Sequence, residues 1–247
     1  MDRETLLRNC KALLSAYQDG AMGACVMPED SNPGFSNEEK EMRLAYFSLP
    51  MSLNYQRDSY KLWETALKTY RDPETRFVFD VTKIAEVSNE TLQKSLLKHR
   101  LALQPNKHIQ TWKTISQTVL DNWESFTQLI HANENDFLKL QQTIQLDHKK
   151  GFPYLSGPKI FHYWSFILKE YGNVPLKNAE FIDIAPDTHI LKCSVKLGVI
   201  SEAESQSLSR ERISERWRNV LRGSGINPID MHPSLWFWSR GGFEYSL

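Results

Sequence analysis

The spacing of apolar residues along the chain is mainly that of α-helices. Near the N-terminus apolar side chains recur every three or four residues, which predicts an amphipathic first helix: Leu6, Leu7, Cys10, Leu13, Leu14 and Tyr17. The same spacing predicts helices at about 38–48, 56–70, 91–103, 108–131 and 134–146. One run, Arg76–Val81, is strand-like, and an apolar loop explains it as well. The pattern therefore predicts an all-α protein without internal repeats.

Glycine, proline and small polar residues mark the turns between these helices. The stretch Pro28–Ser36 ends the first helical segment. In Gly151–Lys159 two glycines, two prolines and a serine predict a tight hairpin before the apolar helix Ile160–Leu168. A loop is predicted at Tyr171–Pro186. Later helix starts are indicated by residues suited to helix capping: Asp187, and Ser201 with Glu204.

Composition fits an ordinary globular protein. The 247 residues suffice for one large domain or two smaller lobes, with 40% hydrophobic and 24% charged residues. No apolar run approaches the roughly 18 residues that a membrane span needs, and the first residues, Met1–Glu4, carry no apolar signal core. We therefore expect no membrane association and an intracellular protein, in the cytoplasm or nucleoid of a prokaryote or the nucleus of a eukaryote.

Cysteine and histidine usage argues against a metal-dependent enzyme. The three cysteines are far apart, which fits a reducing compartment, and they are too few for the four thiolates of an iron–sulfur cluster. The seven histidines are scattered, whereas zinc needs three or four clustered ligands. We expect no metal site.

The distribution of charge changes the picture more than its total. With 30 basic and 30 acidic residues the formal net charge is zero, which by itself does not suggest nucleic-acid binding. Between positions 81 and 120, however, there are six lysines and arginines but only two glutamates. A basic face can therefore exist on a neutral chain.

Two segments give a more specific indication. The hairpin segment Pro153-Tyr-Leu-Ser-Gly-Pro-Lys159 resembles the Leu-Pro-Gly-Val-Gly-x-Lys hairpin of the helix-hairpin-helix DNA glycosylases. Pro186-Asp-Thr-His-Ile190, followed by Lys196-Leu-Gly198, is similar to the Val-Asp-Thr-His-Val and Arg-Leu-Gly segments of the same superfamily. The resemblance covers about 60 residues. The remaining helices agree with this fold but would not identify it.

The resemblance implies a fold, a reaction and a partner. The fold would have two helical lobes with a DNA-binding cleft between them, one lobe formed by 1–84 with 200–247 and the other by 85–199, with the helix-hairpin-helix at about 140–170. The chain would be a monomer that binds double-stranded DNA, flips out a modified base and excises it. By position, Lys159 would be the nucleophile that forms a Schiff base at C1′ and permits strand cleavage, and Asp187 the catalytic carboxylate.

The sequence also departs from the superfamily pattern. Leu155 stands where the first hairpin glycine is expected, and the hairpin is one residue longer. The interval from Lys159 to Asp187 exceeds that of endonuclease III and resembles the archaeal 8-oxoguanine glycosylases, so an oxidised purine is the favoured substrate. The cysteine ligands of the endonuclease III cluster are absent. No cofactor is expected beyond a monovalent cation, which the carbonyls of such a hairpin can hold.

The resemblance implies supporting roles for other residues. The hairpin around Tyr154, Leu155, Ser156 and Gly157, together with His189, would contact DNA phosphates. Asn54 or Gln56 would fill the gap that a flipped base leaves. Trp236 and Trp238 are candidates to stack on the extruded base; core packing is the alternative for both, and we expect one of the two in the core.

Each assignment has a plainer alternative. Asp187 has the sequence context of a simple helix N-cap, Lys159 that of a solvated residue at a helix start, and His189 that of a first-turn residue. Asn54 and Gln56 also suit an ordinary helix N-terminus. The whole chain could instead be a glycosylase without lyase activity, a non-catalytic helix-hairpin-helix DNA-binding protein, or a helical interaction protein with a chance motif.

Overall fold

The computed structural model describes residues 2–247, and within that range it is all-helical, without a β-strand. Extended backbone pairs only once, in an isolated bridge between Asp136 and Lys177. The α-helices, numbered along the chain, are α1 Arg3–Gln18, α2 Lys40–Ser48, α3 Ser59–Arg71, α4 Val81–Glu86, α5 Asn89–Lys98, α6 Lys107–Trp123, α7 Phe126–Ala132, α8 Phe137–Gln141, α9 Pro158–Glu170, α10 Thr188–Lys196, α11 Glu202–Ser207, α12 Arg210–Leu221 and α13 Met231–Arg240.

The chain forms two compact units. Unit 1 consists of Met1–Val26 with Glu180–Leu247, and unit 2 of Met27–Ala179. The first helix therefore belongs to the same unit as the C-terminal helices. The boundaries at 84/85 and 199/200 are not those of the structure, because α2, α3 and α4 pack with the helices that follow them and α10 packs with α13.

Unit 1 is built from α1 and α10–α13 around one apolar core. Its members come from every helix except the short α11 and from the loops: Leu6, Cys10, Leu13, Ile184, Ile190, Cys193, Leu197, Val199, Ile200, Ile213, Trp217, Leu221, Met231, Leu235 and Trp238. Trp217 satisfies its buried indole N–H by donating to the Ser194 hydroxyl at 2.8 Å. The core holds α10, and with it Asp187 at its N-terminus, in a fixed place.

Unit 2 contains α2–α9 and has an aromatic core. The large side chains that are fully buried there include Trp63, Trp112 and Trp164. Each indole N–H has an acceptor: a carboxylate oxygen of Glu29 at 2.9 Å, the Val78 carbonyl at 2.8 Å and the Ser48 hydroxyl at 2.9 Å, respectively. Because buried indoles without partners would destabilise the unit, these bonds fix the orientation of each ring.

Most predicted helices are present, with three differences. Helix α5 ends at Lys98, earlier than the predicted 103. The segment predicted as one helix at 108–131 is two, because the backbone of Glu124 is left-handed, with φ 64°, and Ser125 is the N-cap of α7. The strand-like run Arg76–Val81 is a 3-10 turn, Arg76–Phe79, leading into α4.

Two elements bear directly on the site. The predicted helix at 134–146 begins as α8 and continues as one π-helical segment, Gln142–Asp147, before a short 3-10 turn, Lys149–Gly151.

None of the helices within residues 2–247 has the length and apolarity to cross a bilayer.

Candidate functional site

The hairpin predicted at 151–159 lies between two helical segments of unit 2. The chain leaves the π-helical segment Gln142–Asp147, turns through residues 152–157 and enters α9 at Pro158. Proline suits the first helical position, because its ring fixes φ and the missing N–H would lack an intrahelical acceptor anyway. Gln145 donates to the Ser156 carbonyl at 3.1 Å and so ties the first segment to the turn. The local arrangement is helix, hairpin, helix.

Lys159 is the second residue of α9, directly after the hairpin. It is exposed, whereas the helix behind it is mostly buried from Phe161 to Leu168. Lys159 thus places an amine in solvent at the start of α9, directly after the hairpin.

The hairpin amides are engaged within the turn. The N–H groups of Leu155, Ser156 and Gly157 donate to the carbonyls of Pro153, Phe152 and Tyr154 at 2.8, 2.9 and 3.0 Å. Leu155 is fully buried, and Ser156 is buried as well. These amides close the hairpin, which differs from the expectation that they point at a phosphate. A monovalent cation held by carbonyls of the hairpin stays a prediction.

Tyr154 is a half-buried residue of the hairpin. Its ring is stacked on that of Tyr55, with centroids 4.2 Å apart and planes inclined by 7°. The ammonium of Lys107, at the start of α6, lies 5.0 Å from the Tyr154 centroid and 5.3 Å from the Tyr55 centroid. Lys107 lowers the pKa of the Tyr154 phenol, mainly through a hydrogen bond, while burial raises the pKa of Tyr55. We call Tyr55, Tyr154 and Lys107 the tyrosine platform.

The platform brings the predicted gap-filling loop next to the hairpin. Tyr55 lies between Asn54 and Gln56. Asn54 is half-buried, and its side-chain oxygen accepts from the Ser59 hydroxyl at 3.2 Å. Gln56 is exposed on a left-handed backbone, with φ 49°. Of the two, Gln56 therefore has the side chain that extends into solvent.

Arg57 anchors this loop. Its guanidinium donates to the carbonyls of Leu101 at 2.5 Å and Arg100 at 2.9 Å, and to the Thr65 hydroxyl at 3.1 Å. Burial lowers the pKa of Arg57 to about 10. These bonds hold the backbone beside Gln56 in place despite its unusual φ.

A buried carboxyl group lies near the middle of α9. Glu29, in the 3-10 turn Pro28–Asp30, has no exposed surface. One of its oxygens, Oε1, accepts from the Trp63 indole at 2.9 Å and from the Tyr163 hydroxyl at 3.2 Å. Burial raises the pKa of Glu29 to about 7. Tyr163 follows Lys159 by four residues and thus lies on the same face of α9.

In unit 1 Asp187 is the N-cap of α10, as the sequence predicts. Its Oδ1 accepts from the backbone N–H groups of His189 and Ile190, both at 2.9 Å. Both bonds use one oxygen, so the other, Oδ2, takes no part in the cap. Asp187 is half-buried. The geometry is compatible with a plain cap and with a carboxylate that also acts on a substrate.

The loop before Asp187 is tied to α12. The guanidinium of Arg218 donates to both oxygens of Asp183, at 2.8 and 2.5 Å, a bidentate pair with a buried carboxylate. Ser214 donates its hydroxyl to the Ile184 carbonyl at 3.0 Å. These bonds fix the direction in which the chain approaches α10.

His189 and the two candidate tryptophans lie on α10 and α13. His189 is half-buried, with Nδ1 3.1 Å from the Ser239 hydroxyl, and burial lowers its pKa. Trp236 is half-buried; its ring meets that of His189 edge-on at 5.5 Å, and the Arg240 guanidinium lies 5.0 Å from its centroid. Trp238 is only 4% exposed and donates to the Tyr245 carbonyl at 2.8 Å. Trp238 is therefore a core residue rather than a base-stacking one, and Trp236 is the member of the pair that remains a candidate.

The two central residues belong to different units, Lys159 to unit 2 and Asp187 to unit 1. Lys159 directly follows the hairpin, and Asp187 is the N-cap of α10. Their joint action on one substrate stays a prediction. Within residues 2–247 no three histidine, cysteine, aspartate or glutamate side chains are grouped so that they could hold a metal ion.

The sequence interpretation missed the residues that depend on long-range contacts. Tyr55 and Lys107 were not assigned, although each lies beside a predicted segment. Glu29 was not assigned either; its only sequence signal is an acidic residue within a turn-forming stretch. The motif residues were found because their chemistry is encoded in short segments.

Comparison with known proteins adds no assignment. The chain matches no protein-family model, and no curated protein is significantly similar to it in sequence.

Proposed function

We propose that the chain is a DNA base-excision N-glycosylase with associated abasic-site lyase activity. It would act on double-stranded DNA that contains a modified base, an oxidised purine being favoured. The observation that carries the proposal is Lys159 at the start of α9, exposed and directly after a tight hairpin. The lysine of the helix-hairpin-helix glycosylases, which the hairpin segment resembles, has this placement.

Two further features of unit 2 support DNA as the partner. The tyrosine platform offers a flat aromatic edge beside a lysine ammonium, a combination suited to a base or sugar next to a phosphate. Gln56, exposed beside the platform, can donate and accept hydrogen bonds and so can pair with an orphaned base.

In the proposed reaction the neutral amine of Lys159 attacks C1′ of the extruded nucleoside. The C1′–N bond breaks, and the base leaves with the bonding electrons and takes up a proton. The amine loses a proton, the C1′–O4′ bond breaks with a proton going to O4′, and the ring-opened imine forms. Removal of a proton from C2′ then expels the 3′-phosphate by β-elimination and cleaves the strand. Asp187 would stabilise the positive charge that develops on the sugar and accept a proton, through the oxygen not used in the cap.

Borohydride trapping on duplex DNA with an abasic site tests the proposal. The wild-type chain should give a covalent adduct, because borohydride reduces the imine to a stable amine. Lys159→Gln should give none. Lys150→Gln, which removes an exposed charge just before the hairpin, should still be trapped. An adduct from Lys159→Gln at wild-type yield would overturn the assignment of the nucleophile.

The same assays distinguish the alternatives. Release of a base without a trapped adduct would indicate a glycosylase in which water attacks C1′ and Lys159 only steadies DNA. Duplex binding with neither release nor adduct would indicate a non-catalytic DNA-binding protein. No binding to duplex DNA would mean that the motif match is accidental.

A further inference from the structure

Glu29 has an oxygen atom for which the protein supplies no donor. Its side chain has no exposed surface, and two donors, Trp63 and Tyr163, share Oε1. The other oxygen, Oε2, is buried without a hydrogen-bond partner. A buried acceptor without a donor is unfavourable for folding, and a buried carboxylate is more so.

The surroundings of Glu29 do not compensate its charge. The groups that act on its carboxyl are uncharged donors, namely its own backbone N–H, Tyr163 and Trp63, and the carboxylate of Asp30, whose negative charge opposes ionisation. No lysine, arginine or histidine forms an ion pair with Glu29 within residues 2–247. A glutamine would fill the same volume at lower free-energy cost, so stability alone does not explain a glutamate here.

The position of Glu29 relative to Lys159 gives a reason. Tyr163 follows Lys159 by one helical turn, about 6 Å along the axis of α9, and its side chain leans toward the helix N-terminus as all helical side chains do. The Tyr163 hydroxyl bonds to Glu29. The carboxyl group is thus hydrogen-bonded to the face of α9 that carries the proposed nucleophile, at a residue one helical turn from it.

Both donors to this carboxyl, Trp63 and Tyr163, belong to aromatic clusters. Trp63 is packed against Tyr46 and Phe47, with ring centroids 5.7 and 5.5 Å away, and Tyr163 is stacked on Phe166 at 5.8 Å. Enzymes that act on an extruded base bind it between such rings and recognise its edge by hydrogen bonds.

We propose that Oε2 of Glu29 accepts hydrogen bonds from the Watson–Crick edge of the extruded base and selects a guanine-type edge. This edge presents two adjacent donors, the ring N1–H and the 2-amino group, to a single anionic acceptor. The inference rests on the proposed function and names its substrate class. In the bound state the donors would satisfy the oxygen that the protein leaves unpaired.

Glu29→Gln tests this inference with two substrates. On a duplex with 8-oxoguanine opposite cytosine, single-turnover excision should fall at least about tenfold, because the acceptor loses its charge. Trapping on abasic-site DNA should be unchanged, because that substrate has no base to recognise. Removing the 2-amino group, in a duplex with 8-oxohypoxanthine, should reduce the wild-type rate more than the Glu29→Gln rate.

Further variants separate recognition from folding. Tyr163→Phe keeps the ring and removes one donor to Oε1, so it should lower 8-oxoguanine excision less than Glu29→Gln does, with normal trapping. Asp136→Asn alters a buried carboxyl that instead has partners, the N-terminal amides of α8 and the Asn178 amide, and it should leave the ratio of excision to trapping unchanged.

Two results would overturn the inference while leaving the proposed function intact. One is excision of 8-oxoguanine by Glu29→Gln at the wild-type rate. The other is a wild-type enzyme that is trapped on abasic DNA but prefers a base without the two adjacent donors, such as 3-methyladenine. A wild-type chain that is neither trapped nor able to release any base would instead refute the proposed function, and this inference with it.

Discussion

Tyr55 and Tyr154 lie far apart in sequence, yet their rings are parallel and 4.2 Å apart between centroids. One ring belongs to the loop with Gln56, the other to the hairpin before Lys159. Tyr154 holds this place on a left-handed backbone, with φ 62°, a conformation unfavourable for a residue with a large side chain. The stack is the contact by which the hairpin and the proposed gap-filling loop are kept together.

A double-mutant cycle should measure this contact. Tyr55→Leu, Tyr154→Leu and the double variant keep apolar volume but remove the stacking. The two single losses of unfolding free energy should together exceed the loss in the double variant by about 1 kcal/mol, the usual coupling of an aromatic pair. Urea unfolding of the four proteins gives the free energies. Strictly additive effects would mean that the two rings lie side by side without stabilising the fold.

Lys107 should contribute to DNA affinity through its charge. If the ammonium of the tyrosine platform contacts a phosphate, Lys107→Gln should weaken duplex binding and reduce the slope of log affinity against log salt by about 1. Lys113→Gln, on the same helix and bonded to Asn89 at 2.6 Å, is the matched control and should change the slope less. Equal effects of the two variants would argue against the platform as a DNA contact, and a wild-type slope near zero would contradict DNA binding altogether.

Local chemistry explains which parts of the fold could be predicted. The cap at Asp187 and the capping box of Ser201 with Glu204 are present as the sequence indicates, because the bonding groups lie within three residues of each other. The break in the predicted helix 108–131 could not be found in this way. The amides of Phe126 and Thr127, at the start of α7, donate to the carboxylate of Glu41 in α2, a contact that short segments do not encode.

The strand-like run Arg76–Val81 illustrates a related limit. Its apolar residues are all aromatic or β-branched, which is typical of a strand, but a strand requires a partner. Here the Val78 carbonyl accepts from the Trp112 indole, and Asp80 caps α4 with its side chain. Tertiary contacts therefore override the local preference. The candidate site divides in the same way: Lys159 and Asp187 are found from motifs, whereas Glu29 and the tyrosine platform emerge only from packing.

The stability of the protein should decrease with pH because of Glu29. Burial raises its pKa from 4.5 to about 7, so the folded chain retains a proton that the unfolded chain has released between those values. The protonated carboxyl makes its full contribution to the free energy of unfolding below about pH 4.5. As pH rises toward 7 this contribution is lost, and the free energy of unfolding falls by on the order of 3 kcal/mol. Glu29→Gln is neutral throughout and keeps an acceptor for Trp63.

The gain in unfolding free energy of Glu29→Gln over wild type should therefore be small at pH 5 and large at pH 8. Urea denaturation at the two pH values measures it. If the difference in unfolding free energy between Glu29→Gln and wild type is the same at both pH values, ionisation of the Glu29 carboxyl does not destabilise the fold. A variant that is more stable and yet less active on 8-oxoguanine would be the expected signature of a residue kept for recognition.

Asp187→Asn distinguishes a helix cap from a catalytic carboxylate. Asparagine caps a helix about as well as aspartate, so the amide bonds to His189 and Ile190 should persist and the melting temperature should change by no more than a few degrees. The charge, however, is removed. If that charge stabilises the transition state, single-turnover excision should fall at least about tenfold, since such contacts often contribute on the order of 10²-fold.

Asp80→Asn provides the matched control for this experiment. Asp80 caps α4 with the same geometry, its Oδ1 accepting from two successive amides at 3.1 and 3.2 Å, so the substitution makes the same chemical change at a cap without a proposed catalytic role. It should leave excision unchanged. If both variants excise at the wild-type rate, Asp187 is a cap and nothing more. If only Asp187→Asn is slow, and its melting temperature is unchanged, the loss of activity is due to the loss of the carboxylate charge. Asparagine keeps the cap hydrogen bonds at both positions, so a change in the cap would not explain the difference between the two variants.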